Sequence, residues 1–379
     1  MPLKLKPLAE QRIVITGASS GIGLETARMA AAGGAAVLLV ARNEEALRNA
    51  VAGIEAAGGR ASFLAIDVTA PDAPERIGAA AYSAFGGFDT WVNDASVSEY
   101  ARLRDVTTEE HRRIFDVNYF AYVQASLYAV EELRSSGGAL INVGSVLSDR
   151  AIPVQGAYSA AKHAVKGFTD ALRMELEMDE APISVTLIKP GPIDTPFPEH
   201  ARNKIGAPAS VPPPVYDPKL VADAILFAAQ NPKRDITVGG GGALMAAGNL
   251  IARASDKVME VFSGERGQSA DTPPEPGTND NLFEPREDGR THGNQDHMTR
   301  QTSLALKAQL HPVATAAIIG GGAAAAAGAF FGGRAIARKR EGRQNAILDT
   351  AVTASDLAAA QALAEPHPPT EPRLEIPVK

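Results

Sequence analysis

Thr16-Gly17-Ala18-Ser19-Ser20-Gly21-Ile22-Gly23 joins a short apolar run, Arg12–Thr16, to a helical pattern over Ile22–Gly33. Between a strand and a helix, glycines permit a tight turn and let backbone N–H groups approach a pyrophosphate at the positive end of the helix. The spacing is G-x-x-x-G-x-G rather than the commoner G-x-G-x-x-G. A glycine cluster alone marks only a turn. At a strand–turn–helix junction it predicts a dinucleotide site built from Gly17, Ser19, Ser20, Gly21, Ile22 and Gly23.

Outward from this loop, short β-rich runs alternate with longer helical patterns. Strands are expected at Arg12–Thr16, Ala36–Ala41, Ala61–Asp67, Phe88–Asn93, Ala139–Gly144, Ile183–Lys189 and Ile236–Val238. Their near-continuous apolar character suits strands covered on both faces. Helices are expected at Ile22–Gly33, Asn43–Ala57, Pro71–Phe85, Thr107–Arg134, Ala157–Met178 and Pro218–Gln230, with a further one near Leu244–Phe262. This alternation predicts an α/β domain over 1–263, a doubly wound parallel Rossmann-like sheet with helices on both faces.

The whole chain has 379 residues, no cysteine and a formal charge of −7. Without cysteine there are no disulfides, thiolate metal sites or thioester chemistry, and no histidine pair has metal-binding spacing. The acidic balance argues against a nucleic-acid partner. Residues 1–8 carry no apolar signal core, so a cytoplasmic location is expected.

Beyond residue 263 the composition changes. Residues 264–300 hold Leu282, Phe283 and Met298 as their large apolar side chains, too few to offset ordering entropy, so a disordered linker is expected, with Leu282–Phe283 as an anchor. Residues 301–343 read as an Ala/Gly-rich helix. Within it, 313–333 carries no charge and is followed by the basic cluster Arg334, Arg338, Lys339, Arg340 and Arg343. That length and flank make it a candidate membrane segment with its basic side inward, attached to the inner face of the cytoplasmic membrane. Gly320, Ala324, Gly328 and Gly332 add a small-residue stripe; a flexible linker is the alternative. Residues 344–379 form a proline-rich tail expected to be disordered.

With Tyr158-Ser159-Ala160-Ala161-Lys162, Ser145 thirteen positions upstream, Asn118 and the run Pro190-Gly191-Pro192-Ile193-Asp194-Thr195, the glycine loop resembles the short-chain dehydrogenase/reductase family over roughly residues 8–262. The long tail resembles a bacterial branch of longer members. The resemblance implies an oxidoreductase that interconverts an alcohol and a carbonyl compound as a homodimer or homotetramer. Tyr158 would exchange the proton, Ser145 would position the oxygen, Lys162 would hold the nicotinamide ribose, and Asn118 would anchor a water. Pro190, Gly191, Ile193 and Thr195 would border the cofactor, Asp67 and Val68 its adenine. The family's Asn-Asn-Ala-Gly is here Asn93-Asp94-Ala95-Ser96: Asn93 remains, while a carboxylate replaces an amide donor and Ser96 replaces a permissive glycine.

Independently of the family, Tyr158 and Lys162 lie at i and i+4 on one helix face. A neighbouring ammonium is expected to lower the tyrosine pKa towards the working range. At the end of the second strand Ala41 stands where an acid would bind ribose hydroxyls, and Arg42 follows. Arg42 suits a 2′-phosphate, so NADP(H) is the expected cofactor. Phe197 and Ile152-Pro153-Val154 are candidates for an apolar substrate wall. The rival expectation is a weakly active nucleotide-binding scaffold tethered by its tail.

Overall fold

The computed structural model describes residues 3–240, 252–271, 279–286, 289–317, 334, 338–346, 349–350 and 353–356. Seven strands form one sheet: β1 (Arg12–Thr16), β2 (Ala36–Ala41), β3 (Arg60–Ala65), β4 (Thr90–Asn93), β5 (Gly138–Val143), β6 (Ile183–Pro190) and β7 (Asp235–Val238). All neighbours are parallel, in the order β3-β2-β1-β4-β5-β6-β7. The order reverses between β1 and β4, and a crevice opens there at the carboxyl ends of the strands.

Period-2 alternation sends the side chains of each strand into two cores. Ile13, Ile15, Val37 and Leu39 pack under α1 (Gly21–Ala32), α2 (Glu44–Ala56) and, further along the chain, the helix Pro218–Ala228. Val14, Leu38 and Val40 pack under α3 (Ala73–Phe85) and the helices Ala121–Leu133 and Gly156–Met178 on the opposite face. Trp91 is fully buried among Phe88 and Tyr128, its indole N–H donating to Asn93 Oδ1 at 2.9 Å. Asn93 in turn donates to Asn142 at 2.9 Å, and Asn142 donates to Thr169 at 3.0 Å. This satisfied polar chain fixes the register of β4 against β5 and the helix behind them. At the opposite end of the sheet, Asp89 accepts from the Arg12 backbone and guanidinium and from Lys6. Burial opposes its ionisation, but these donors outweigh burial and hold the carboxyl below its ordinary range.

The expected helix 107–134 is interrupted. It consists of α4 (Thr108–Phe115), a π-helical turn at Asp116–Phe120 and α5 (Ala121–Leu133). Asn118 lies in that turn with its side-chain amide bonded to both backbone groups of Val97, at 2.9 and 2.8 Å. The pull of that pair accounts for the widened turn, a device common at functional sites. Then follow α6 (Gly156–Met178), α7 (Pro218–Ala228), α8 (Ala252–Phe262) and α9 (Leu304–Leu310).

The compact unit runs from Met1 to His311, past the expected boundary at 263. Contrary to the expected disorder, the described part of 264–300 is packed. Thr299–Arg300 pairs with Val215–Tyr216, and Leu282 is fully buried among Val97, Ile114, Val117, Ala157 and Ala161. Apart from Leu282 and Phe283, composition gave little sign of this, because the segment is held by polar side chains such as Asp280, Arg290 and Thr299 and by backbone carbonyls, which read as linker. The start of the expected Ala/Gly helix is α9, which packs on β7: Gln309 bonds both backbone groups of Thr237, at 2.9 and 2.8 Å, and Leu306 is buried. From Pro312 onward the chain forms a separate unit whose described residues are helical. The candidate membrane segment lies outside the described residues from 318 to 333, as do the tail from 357 and residues 244–251 of the expected helix near 244–262. Among the described residues no helix is long and apolar enough to cross a membrane.

Candidate active site

The glycine loop leaves β1 and enters α1 at the crevice. Gly17 has φ +73° and Gly21 φ +53°, both left-handed. A Cβ on Gly17 would lie 2.8 Å from the Ala95 backbone, and one on Gly23 would lie 2.5 Å from the Gly17 carbonyl oxygen. Thr16 ties the two strand ends together, its hydroxyl accepting from the Asp94 and Ala95 N–H groups at 3.1 and 3.2 Å. The loop is therefore pressed against the segment after β4, with its open side on the cleft. That glycine cradle fits a dinucleotide pyrophosphate.

One cleft of about 280 Å³ brings together Gly17, Ser19, Ser20, Gly21, Ile22, Arg42, Asp67, Val68, Ser145, Tyr158, Lys162, Pro190, Gly191, Ile193 and Thr195. Three other residues expected at the site do not line it. Gly23 packs behind Gly17, Asn93 belongs to the buried chain between β4 and β5, and Asn118 is fully buried with its amide committed to Val97. At the apolar end are Leu147, Ile152, Phe197, Val211 and Pro212, with the Phe197 and Tyr158 rings 5.6 Å apart. Val154, expected on that wall, is turned into a different cluster with Tyr100.

Ser145 lies two residues past the end of β5 and caps the following turn, its hydroxyl accepting from Leu147 N–H at 3.0 Å. Lys162, 1% exposed, donates to the Val143 carbonyl at 2.8 Å and lies 5.7 Å from the Tyr158 ring centroid. Despite that ammonium, the Tyr158 pKa is raised, the reverse of the sequence expectation. Burial dominates, and the charges of Asp94 and Glu99 add to it, while hydrogen bonds with the Ser145 and Ser96 hydroxyls pull the other way. The phenol is thus held in its proton-donating form.

Ser96 and Asp94, the departures noted in the sequence, both reach this cleft. The Ser96 hydroxyl donates to Asn118 Oδ1 at 3.1 Å. Burial pushes the Asp94 carboxyl up to about 7 against the pull of Lys162 and the Gly23 N–H, and burial takes Lys162 down to about 8. Because Asp94 titrates higher folded than unfolded, its ionisation costs stability as pH rises from about 4 to about 7. Asp94→Asn should therefore raise the melting temperature more at about pH 7.5 than at about pH 5. Melting curves of both proteins at the two pH values check this, and an equal difference at both contradicts it.

Asp67 is held below its ordinary range. Burial opposes this, but Thr69 N–H, Arg113 and the Thr69 hydroxyl outweigh it. Arg42 faces the same region and donates to the carbonyls of Phe283 and Asn281. Asn281, Pro285 and Arg286 also line the cleft, as do Ser263 and Gln268. None of these was expected there. The Asn281-Leu282-Phe283 run, two apolar side chains in a polar stretch, was the only signal the sequence offered.

Comparisons with known proteins agree with this geometry. The short chain dehydrogenase family model matches residues 11–206. The chain is 44% identical over 321 residues to an oxidoreductase, YxnA, of Bacillus subtilis, spanning 84% of this chain and 90% of that one. An alignment of that extent takes in residues 281–300. It is 34% identical over 197 residues to a 3beta-hydroxysteroid dehydrogenase of Mediterraneibacter gnavus, covering 52% of this chain and 71% of that one. An alcohol dehydrogenase of Thermococcus sibiricus, solved in complex with 5-hydroxy-NADP, shares the fold with a TM-score of 0.53 at 24% identity, over 60% of this chain and 95% of that one.

Proposed function

The chain belongs to the short-chain dehydrogenase family, and from that premise we propose that it is an NADP(H)-dependent oxidoreductase interconverting an alcohol and a ketone or aldehyde. The observation that carries this reading is the meeting of Tyr158, Ser145 and Lys162 with the glycine cradle in one cleft. When bound, the nicotinamide supplies or takes the hydride. The protein's own groups do the rest. Ser145, fixed by its cap on the turn, donates to the substrate oxygen and aims it at Tyr158. Tyr158 gives that oxygen its proton, and its raised pKa suits it to carbonyl reduction. Lys162 sets a positive charge below the phenol as the proton leaves. In this reading Asn118 acts through the turn it shapes, keeping the helix backbone and the Val97 segment in place beside the cleft.

Support for NADP(H) comes from Arg42 at the end of β2 with no acid at Ala41. Two of its N–H groups hold carbonyls of the C-terminal segment, and the rest of the fork is left for a 2′-phosphate. The apolar end of the cleft favours a bulky apolar alcohol or ketone, and the hydroxysteroid dehydrogenase relative supports that choice. Exposed Phe120, Leu127 and Met174 on the π turn, α5 and α6 suit self-association into a dimer or tetramer. The test is NADPH consumption by the purified chain across a panel of apolar ketones and aldehydes. Substrate-dependent oxidation is expected. A folded chain that turns over none of them while binding the nucleotide contradicts the reading.

A further inference from the structure

The C-terminal segment crosses the mouth of the cleft and is held by the groups that line it. Its carbonyls accept in succession: Asn281 from Arg42, Leu282 from Arg113 at 2.9 Å, Phe283 from Arg42 at 2.7 Å, Arg286 from Asn43, and Arg290 from the Gly21 N–H at 2.9 Å. Every one of these donors lines the cleft. The Leu282 side chain, 0% exposed, is the plug that fixes the segment to the body. Asn281 N–H donates to the His200 carbonyl at 2.7 Å, and Arg202 stacks over the Phe283 ring at 5.2 Å while pairing with Asp280. Arg286, 8% exposed, donates to the Glu199 carbonyl at 2.7 Å and presents part of its surface to the cleft.

We propose that residues 281–286 are the outer wall of the nucleotide site: a clasp over the adenosine-phosphate end of the dinucleotide, with Arg42 as its latch as well as the reader of the phosphate. This rests on the dinucleotide reading of the cleft. The glycine loop and Asp67 line this cleft together with Asn281, Pro285 and Arg286. In this proposal 281–286 roofs the adenosine end, while the Arg290 carbonyl, which accepts from the Gly21 N–H at 2.9 Å, gives way to the pyrophosphate. A nucleotide bound there is enclosed by the same carbonyl-to-donor bonds that hold the clasp, and leaves when those bonds open. Slow release follows, because affinity differences of this kind appear mainly in the dissociation rate. Arg42→Asp would then do two things, weakening NADPH and lifting the clasp.

The experiment uses the full chain and two variants that loosen the anchor, Leu282→Asp and Phe283→Ser. Backbone amide exchange at 281–283, measured without nucleotide, reports whether the segment is docked. Bound NADPH is then chased with excess NADP⁺ and its fluorescence followed in time. Docking in the parent chain is expected, with loss of protection in the variants and NADPH release faster by roughly tenfold or more. Release within about twofold of the parent from a variant whose segment has lost protection overturns the clasp. Tighter nucleotide binding by that variant also overturns it, since the segment would then be a competitor. Failure of the parent chain itself to bind NADPH, with its segment docked, overturns the dinucleotide reading beneath it. Phe283→Ser, the milder change, keeps the test decisive where Leu282→Asp fails to fold.

Discussion

Tyr158→Phe should lower the turnover of any carbonyl substrate by about three orders of magnitude while leaving nucleotide affinity near that of the parent. The substitution removes one hydroxyl from a ring packed against Phe197, and the ring itself is retained. What is lost is the proton at that oxygen, which burial keeps in place until a substrate oxygen takes it. Ser145 still caps its turn through Leu147 and still donates to the substrate, so binding survives. Steady-state turnover and a nucleotide titration on the same preparation check both halves. Residual activity within about tenfold of the parent would remove Tyr158 from the role of proton donor.

Gly17→Val should weaken nucleotide binding by about a hundredfold or more, about 3 kcal/mol. At φ +73° a side chain costs about 1–2 kcal/mol from backbone strain alone. The added Cβ would also meet the Ala95 backbone at 2.8 Å, where no flexible side chain can give way. The loop must then move off the segment after β4, and the cradle opens. Gly53→Ala provides the control. That position is on the exposed face of α2 with nothing within 4 Å, so alanine should be neutral or stabilise by up to about 1 kcal/mol. Titrations and melting curves for the two variants separate a site effect from a general one. Gly17→Val with unchanged affinity would mean that the loop does not cradle the nucleotide.

The parallel sheet was legible because its strands are buried on both faces and read as unbroken apolar runs, such as Val37–Val40. The trio proposed as catalytic, which the fold brings to one cleft, was legible through fixed spacing: i, i+4 on one helix for Tyr158 and Lys162, and a position just past a strand for Ser145. Three things escaped for different physical reasons. The π turn at Asp116–Phe120 arises from a side-chain bond to Val97, twenty-one positions away, which no local periodicity encodes. The Tyr158 pKa follows from burial and from Asp94 and Glu99, neighbours that only the fold supplies. The C-terminal segment is attached by the Leu282 side chain, by polar groups such as Asp280 and by backbone carbonyls, and carbonyls carry no composition. Arg42, Asn43 and Arg113 donate to them from the body, so hydropathy had only Leu282 and Phe283 to show. Asp94 and Ser96 were visible as departures from a pattern, but their reach into the cleft depended on Thr16 drawing β4 against β1.

The cofactor assignment is tested by a fluorescence titration of the 379-residue chain with NADPH and with NADH. Saturable binding of both is expected, with NADPH tighter by at least about tenfold through Arg42. A chain with an intact melting transition that binds neither nucleotide would contradict it.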